Sequence, residues 1–183
     1  MKYIALLRGV NISGKNKIVM SKLKEVLEKN NYQNVTTYLN SGNIIFETSL
    51  NNKENIAKNI SEIIKDNFNL DIPVFVLNET ELEDILTNAP DWWETDNKEM
   101  YDNLIFIMPP TNYQEVCDVV GLPSEGIDKI NNYKNSIFWS FDLKRYRKSN
   151  WWIKTASTNI KDRITIRTAN TMRKILAMCK EKK

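Results

Sequence analysis

Between Tyr3 and Leu77 the apolar residues change period in a set order, and that order leaves few folds open. Tyr3 to Leu7 (YIALL) is a short continuous apolar run and reads as a strand. Met20, Leu23, Val26 and Leu27 then recur at helical spacing, with Lys22, Lys24, Glu25 and Glu28 between them, and Ser21 is the expected cap of that helix. Val35 to Leu39 and Ile44 to Glu47 are β-rich runs around Asn40-Ser41-Gly42-Asn43, a hairpin signal. Ile56, Ile60, Ile63, Ile64 and Phe68 form a second helical stripe. Val74 to Leu77 is a strand entered through Pro73, where a missing N–H is tolerated. The order β-α-β-β-α-β is the split unit of a ferredoxin-like domain.

The second half repeats the order. Thr80 to Asn88 reads as a short helix, with Thr80 and Glu83 as a capping box, and Ala89 to Asp102 as an acidic, aromatic junction. Trp92 and Trp93 carry enough area there to be expected at a subdomain interface. Leu104 to Met108 is a strand stopped by Pro109-Pro110; Tyr113, Val116, Cys117 and Val120 are a helical stripe closed by Gly121. Ile127 to Tyr133 and Ile137 to Leu143 form a second hairpin, in which alternation sets Ile137, Trp139, Phe141 and Leu143 against Phe138, Ser140 and Asp142. Arg145 to Thr158 is expected to be one helix carrying Trp151, Trp152 and Ile153. Ile164 to Ile166 is a closing strand, and Thr168 caps a last helix whose apolar side is Met172, Ile175, Leu176 and Cys179. The expected architecture is α+β. Two ferredoxin-like subdomains with antiparallel sheets, residues 1–78 and 101–183, are joined through 79–100 and finished by a C-terminal helix.

A chain of 183 residues with 42% hydrophobic content can bury a real core. It contains no histidine, which removes the commonest general base near neutral pH and the commonest zinc ligand, so no metal site is expected. Cys117 and Cys179 lack CxxC spacing and are expected to be reduced packing residues. No run of eighteen apolar residues occurs and no leader pattern precedes the first strand, so the expected setting is cytoplasmic, away from any membrane. The net charge of +3 hides a division: residues 1–133 carry 12 cations and 20 carboxylates, residues 134–183 carry 14 and 3. Such a basic segment either attracts an anionic partner or pairs with the acidic run around Glu79 to Glu99.

The polar residues cluster where the strands end. The loop after the first strand, RGVNISGKN, holds Arg8, Asn11, Lys15 and Asn16 along with two glycines, and the hairpin turn holds Ser41 and Asn43. Backbone amides, small polar side chains and cations before a helix suit phosphate, sulfate or carboxylate. The loop is not a Walker loop, because Asn16 rather than Ser or Thr follows Lys15. LLRGVNISGKNKI, YLNSGN and TIRTANTMRKIL together resemble the bacterial domain-of-unknown-function family 1697, in which RGxN, GKN, Y-x-QSGN and a terminal T-x-RN-x-x-T recur in this order. Asn40 stands where the family has Gln, and Thr168 where it has Asn. The resemblance spans Met1 to about Leu176 and implies the same two-subdomain fold, though no settled activity. It adds Arg167, Asn170 and Thr171 to Arg8, Asn11, Lys15, Asn16, Ser41 and Asn43 as expected contacts of an anionic, phosphorylated small ligand.

A second reading rests on RYRKSNWWIK, where Arg145, Arg147, Lys148 and Lys154 are interleaved with aromatic rings, the mixture that grips nucleic acid. No RNA-recognition aromatic string accompanies it, so the small anion is the first reading and a nucleic-acid or protein partner the second. Whether a reaction is catalysed is left open: Asp142 is a conceivable base, but spacing singles out no carboxylate. No cofactor is implied, and the oligomeric state is not encoded in any motif.

Overall fold

In a computed structural model that describes residues 1–95 and 97–181, every expected strand forms and the chain divides into two units. The first takes in Met1–Leu82 together with the chain from Ile175 onward, and the second Glu83–Lys174.

In the first unit β1 (Lys2–Leu7), β2 (Gln33–Tyr38), β3 (Asn43–Glu47) and β4 (Val74–Asn78) make one antiparallel sheet in the order β2-β3-β1-β4. Helices α1 (Met20–Lys29) and α2 (Lys53–Phe68) supply the two crossovers. This is the ferredoxin-like topology that the periodicities imply. One sheet face, with Tyr3, Ala5, Leu7, Ile44, Phe46 and Val76, packs on Leu23, Val26 and Leu27 of α1 and on Ile56, Ile60, Ile63 and Ile64 of α2. Asn52 caps α2 by accepting the Asn55 N–H, and Asn69 closes it in the left-handed conformation. Beside the sheet, the Lys2 ammonium donates to the main-chain carbonyls of Cys179 and Glu181.

In the second unit β5 (Met100–Ile107), β6 (Asp128–Tyr133), β7 (Ser136–Asp142) and β8 (Ile164–Thr168) repeat the arrangement as β6-β7-β5-β8, all antiparallel. Its core gathers Ile105, Ile107, Ile137, Trp139 and Phe141 of the sheet against Val116 and Val120 of α4 (Tyr113–Val120) and Trp151 of α5 (Asn150–Ser157); α3 (Glu79–Thr87) precedes them in the chain. Ile137, Trp139 and Phe141 share a face as alternation requires, while Leu143 lies past the strand and is exposed. Trp93 is buried in this unit: its indole N–H donates to the Asn103 carbonyl at 3.0 Å and its ring lies edge-on to Phe138 at 4.9 Å. The last helix, α6 (Ala169–Lys180), starts as expected from Thr168, whose hydroxyl accepts the Thr171 N–H.

Three helix starts differ from the sequence expectation. α1 begins one residue before Ser21, at Met20, with Val19 in the cap position and no side-chain cap. α3 is capped by Asn78 and Glu81 rather than Thr80 and Glu83, because β4 runs through Asn78 and its side chain accepts the Glu81 N–H while Glu81 accepts the Asn78 N–H. The expected helix over Arg145 to Thr158 is split: Tyr146–Lys148 is a single 3-10 turn, and α5 starts afresh at Ser149. The Ser149 hydroxyl accepts the Trp152 N–H at 2.9 Å and donates to buried Asp128 at 2.6 Å, an anchor that ends one segment and caps the next.

The hairpin turn between β2 and β3 is pressed onto the end of β1. Gly42 is buried at φ +77°, and a Cβ built on it would lie 2.6 Å from the side chains of both Leu7 and Val10. Its carbonyl accepts the Leu7 N–H at 2.8 Å. Gly42→Ala therefore combines a left-handed backbone with overpacking, and a loss of about 2–4 kcal/mol is expected in chemical denaturation; a loss under about 1 kcal/mol contradicts the contact. On the opposite corner, buried Tyr32 donates to Asn59 at 2.7 Å and packs edge-on against Phe46. Burial pushes its phenol up to about 12. A folded-state pKa above the unfolded value means that this contribution is intact below pH about 10 and is lost as pH rises toward about 12. Tyr32→Phe is expected to remove that alkaline slope from stability measured against pH, and an unchanged slope counts against it.

Candidate functional site

The loop from Gly9 to Lys17 is a miniature hairpin stitched by its own asparagines. The Lys15 N–H donates to the Ile12 carbonyl at 2.9 Å and the Asn11 N–H to the Asn16 carbonyl at 3.1 Å. Ser13 at φ 48° and Gly14 at φ 77° occupy the two positive-φ positions that such a tight turn demands. Asn11, itself at φ 54°, is the hub: its amide donates to the carbonyls of Ile18 (3.0 Å) and Asn40 (2.8 Å), and its oxygen accepts the Ile18 N–H at 2.9 Å. Asn16 donates to the Gly9 carbonyl at 2.9 Å. The first loop and the Asn40–Asn43 turn, 29 residues apart from Asn11 to Asn40, are thus bonded together.

This geometry changes the expected role of the asparagines. Asn43 is fully buried and donates to the Tyr38 carbonyl at 2.8 Å and to the Ser41 hydroxyl at 3.0 Å. Asn11, Asn16 and Asn43 all bond the protein's own groups and act as the frame. The expected use of the loop's amides also fails in part, since those of Asn11 and Lys15 are taken by loop carbonyls. Gly9, Gly14 and Lys15 stand at Walker spacing with four residues between the glycines, yet α1 starts only at Met20, so no Walker cradle forms.

What the loop offers outward is charge. Lys15 and Lys17 are exposed and make no ion pair among the described residues. From Arg8 to Lys24 the chain carries five cations and no carboxylate. Arg8 is half-buried at the end of β1, with its N–H donating to the Pro73 carbonyl at 2.9 Å. The loop delivers the chain to the start of α1, which has no side-chain cap and no acidic residue in its first turn. The first-turn N–H groups of that helix keep a partial positive charge.

Arg167, Asn170 and Thr171 belong to the second unit. Arg167 is buried and donates to the Thr165 hydroxyl (3.0 Å) and the Ile166 carbonyl (2.8 Å). The Thr171 hydroxyl shares a hydrogen bond with Thr168 at 2.9 Å. Asn170 is exposed and lines a hollow of about 380 Å³ that also contains Glu94, Lys98 and Asp102. With Glu94 paired to Arg173, Asp102 and Lys98 leave the hollow without surplus positive charge for an anion.

Among the described residues, the basic segment pairs with the acidic run: Lys134 with Asp84, Lys144 with Glu99 and Arg173 with Glu94, each at 2.5 Å. Arg145 is held by Asp142 at 2.8 Å and by the Gly126 carbonyl. The hydrogen bond from the Arg145 guanidinium holds the Asp142 carboxyl below its usual range, which weakens it as a general base. Arg147 lies over the Tyr146 ring, 5.7 Å from its centre; Lys148 is exposed and Lys154 half-buried. Both cysteines are free thiols, and burial pushes that of Cys179 up to about 11, away from nucleophilic chemistry. Among the described residues there is no cluster of three or more metal-ligating side chains, and no helix is long and apolar enough to cross a membrane.

Comparison with known proteins agrees with the fold. The chain is similar to a solved structure, that of conserved bacterial protein SP0830 from Streptococcus pneumoniae, with 29% identity, a TM-score of 0.84 and 98% of each chain covered. No curated protein matches the sequence. The family model of DUF1697, described as a protein of unknown function, matches residues 1–138, a span that includes the first loop, the hairpin turn and most of the second sheet. The chain belongs to the DUF1697 family.

Proposed function

We propose that the protein binds a small phosphate-bearing or similarly anionic ligand at the mouth of the first loop. Lys15, Lys17 and the first turn of α1 face the anion, Arg8 and Ser41 flank it, and Asn11, Asn16 and Asn43 hold the frame. One observation carries this reading: a loop braced by its own amides, with five cations and no carboxylate from Arg8 to Lys24, ends on a ten-residue helix whose N-terminus has no cap. An uncapped helix start has orphan N–H groups that an anion satisfies, and the helix dipole favours negative charge there. The residues of the second unit are not needed for this site.

The test uses inorganic pyrophosphate as the probe at low ionic strength. The wild-type melting temperature is expected to rise with added pyrophosphate. The midpoint of that rise should move at least about tenfold higher in a Lys15→Ala/Lys17→Ala variant, since the loss of a single charge-assisted hydrogen bond already amounts to that and two lysines are removed. Lys58→Ala on the exposed side of α2 serves as the control and should leave it unchanged. No rise for the wild type, or the same midpoint in the double variant, overturns the reading.

A further inference from the structure

The second unit presents a different surface, centred on Trp152. α5 divides its two tryptophans: Trp151 is fully buried in the core, while Trp152 is 42% exposed. The outer indole is braced by two rings, Phe141 at 5.2 Å and Tyr146 at 4.9 Å, both at steep interplanar angles of 62° and 77°. Arg147 lies over Tyr146 and its Nε donates to the Tyr146 hydroxyl at 3.1 Å, so a cation is fixed beside the same cluster. Ile153, next on the helix, is 46% exposed. The underlying frame is rigid. Asp128 holds Ser149 at the start of α5 and the Trp139 indole N–H at 3.1 Å, and the Trp151 indole donates to the Gly121 carbonyl.

Charge follows the same segment. Residues 143–161 carry six cations and no carboxylate. Arg145 and Lys144 are paired with Asp142 and Glu99, but Arg147, Lys148 and Lys154 make no ion pair with a carboxylate among the described residues. We infer that this face binds single-stranded nucleic acid, with a base laid against Trp152 and neighbouring phosphates met by Arg147 and Lys148. Charge complementarity selects a polyanion. The braced, part-exposed indole selects one with flat apolar faces, since stacking needs a fixed ring and gains little from a mobile one. An acidic peptide offers the charge without the rings. An anionic lipid surface would take Trp152 together with exposed Ile153, and it is the competitor that the vesicle arm of the test addresses.

The inference is independent of the anion site in the first unit, and the experiment keeps them apart. Fluorescence anisotropy of the full chain with labelled oligo(dT) and oligo(U) is expected to show binding that weakens steeply with salt. Trp152→Ala should weaken it by about tenfold, as loss of one stacked base does, while Trp152→Phe retains most of it. Arg147→Glu/Lys148→Glu should reduce both affinity and salt dependence. These positions are on the surface, and the melting temperature of each variant confirms folding. Lys58→Ala, on the exposed side of α2, should leave the strand affinity unchanged. The proposal is overturned by no binding of either oligonucleotide, by equal binding in Trp152→Ala and wild type, or by binding of anionic vesicles or poly-glutamate in preference to the strands.

Discussion

Gly42 sits so close to Leu7 and Val10 that no side chain fits between them, and the first unit's outward chemistry depends on that contact. The glycine lets the β2–β3 turn close over the end of β1, and its carbonyl takes the Leu7 N–H. With the turn held there, Asn40 presents its carbonyl to Asn11, and Asn11 in turn fixes Ile18 from both sides of its amide. A residue in the left-handed region is costly for most side chains, yet the loop holds Asn11, Ser13 and Asn16 there as well as its glycines. Asparagine and serine suit such positions because they combine tolerance of positive φ with a side chain that bonds nearby main chain. The loop is therefore stiff for reasons internal to it.

That stiffness decides which groups remain for chemistry. A loop whose amides and asparagines are satisfied internally cannot wrap a ligand as a Walker loop does. It can only aim what is left, which is the lysine charge and the open end of α1. The second unit shows the complementary case. Its basic segment first neutralises the acidic run between Asp84 and Glu99, and the cations left over flank a part-exposed tryptophan. In both units the polar residues divide into those that hold the backbone and those that face outward.

The architecture was legible in the sequence because it rests on period. Tyr3, Ala5 and Leu7 against Ile56, Ile60 and Ile64 is a strand face meeting a helix stripe, and each pattern is local enough to read. Helix starts were less legible: Ser21 falls inside α1, whose cap position is Val19 with no side-chain cap, and Thr80 lost to Asn78, which β4 had already positioned. The break before α5 was invisible, because its cause is Asp128, a carboxylate 21 residues away reaching Ser149. The candidate site was legible as a place but not as a set of roles. An asparagine that will bond a ligand and one that will bond a carbonyl have the same letter; the available hint was their company with glycines, which marks positive-φ turns as much as anion sites.

The most direct measurement is native-state amide hydrogen exchange at Leu7 and Ile18, whose N–H groups bond the Gly42 carbonyl and the Asn11 side chain. A loop braced in this way exchanges these two amides only with the global unfolding of its sheet, and Asn11→Ala releases Ile18 selectively. Exchange at Ile18 in the wild type as fast as in an unstructured peptide contradicts the account.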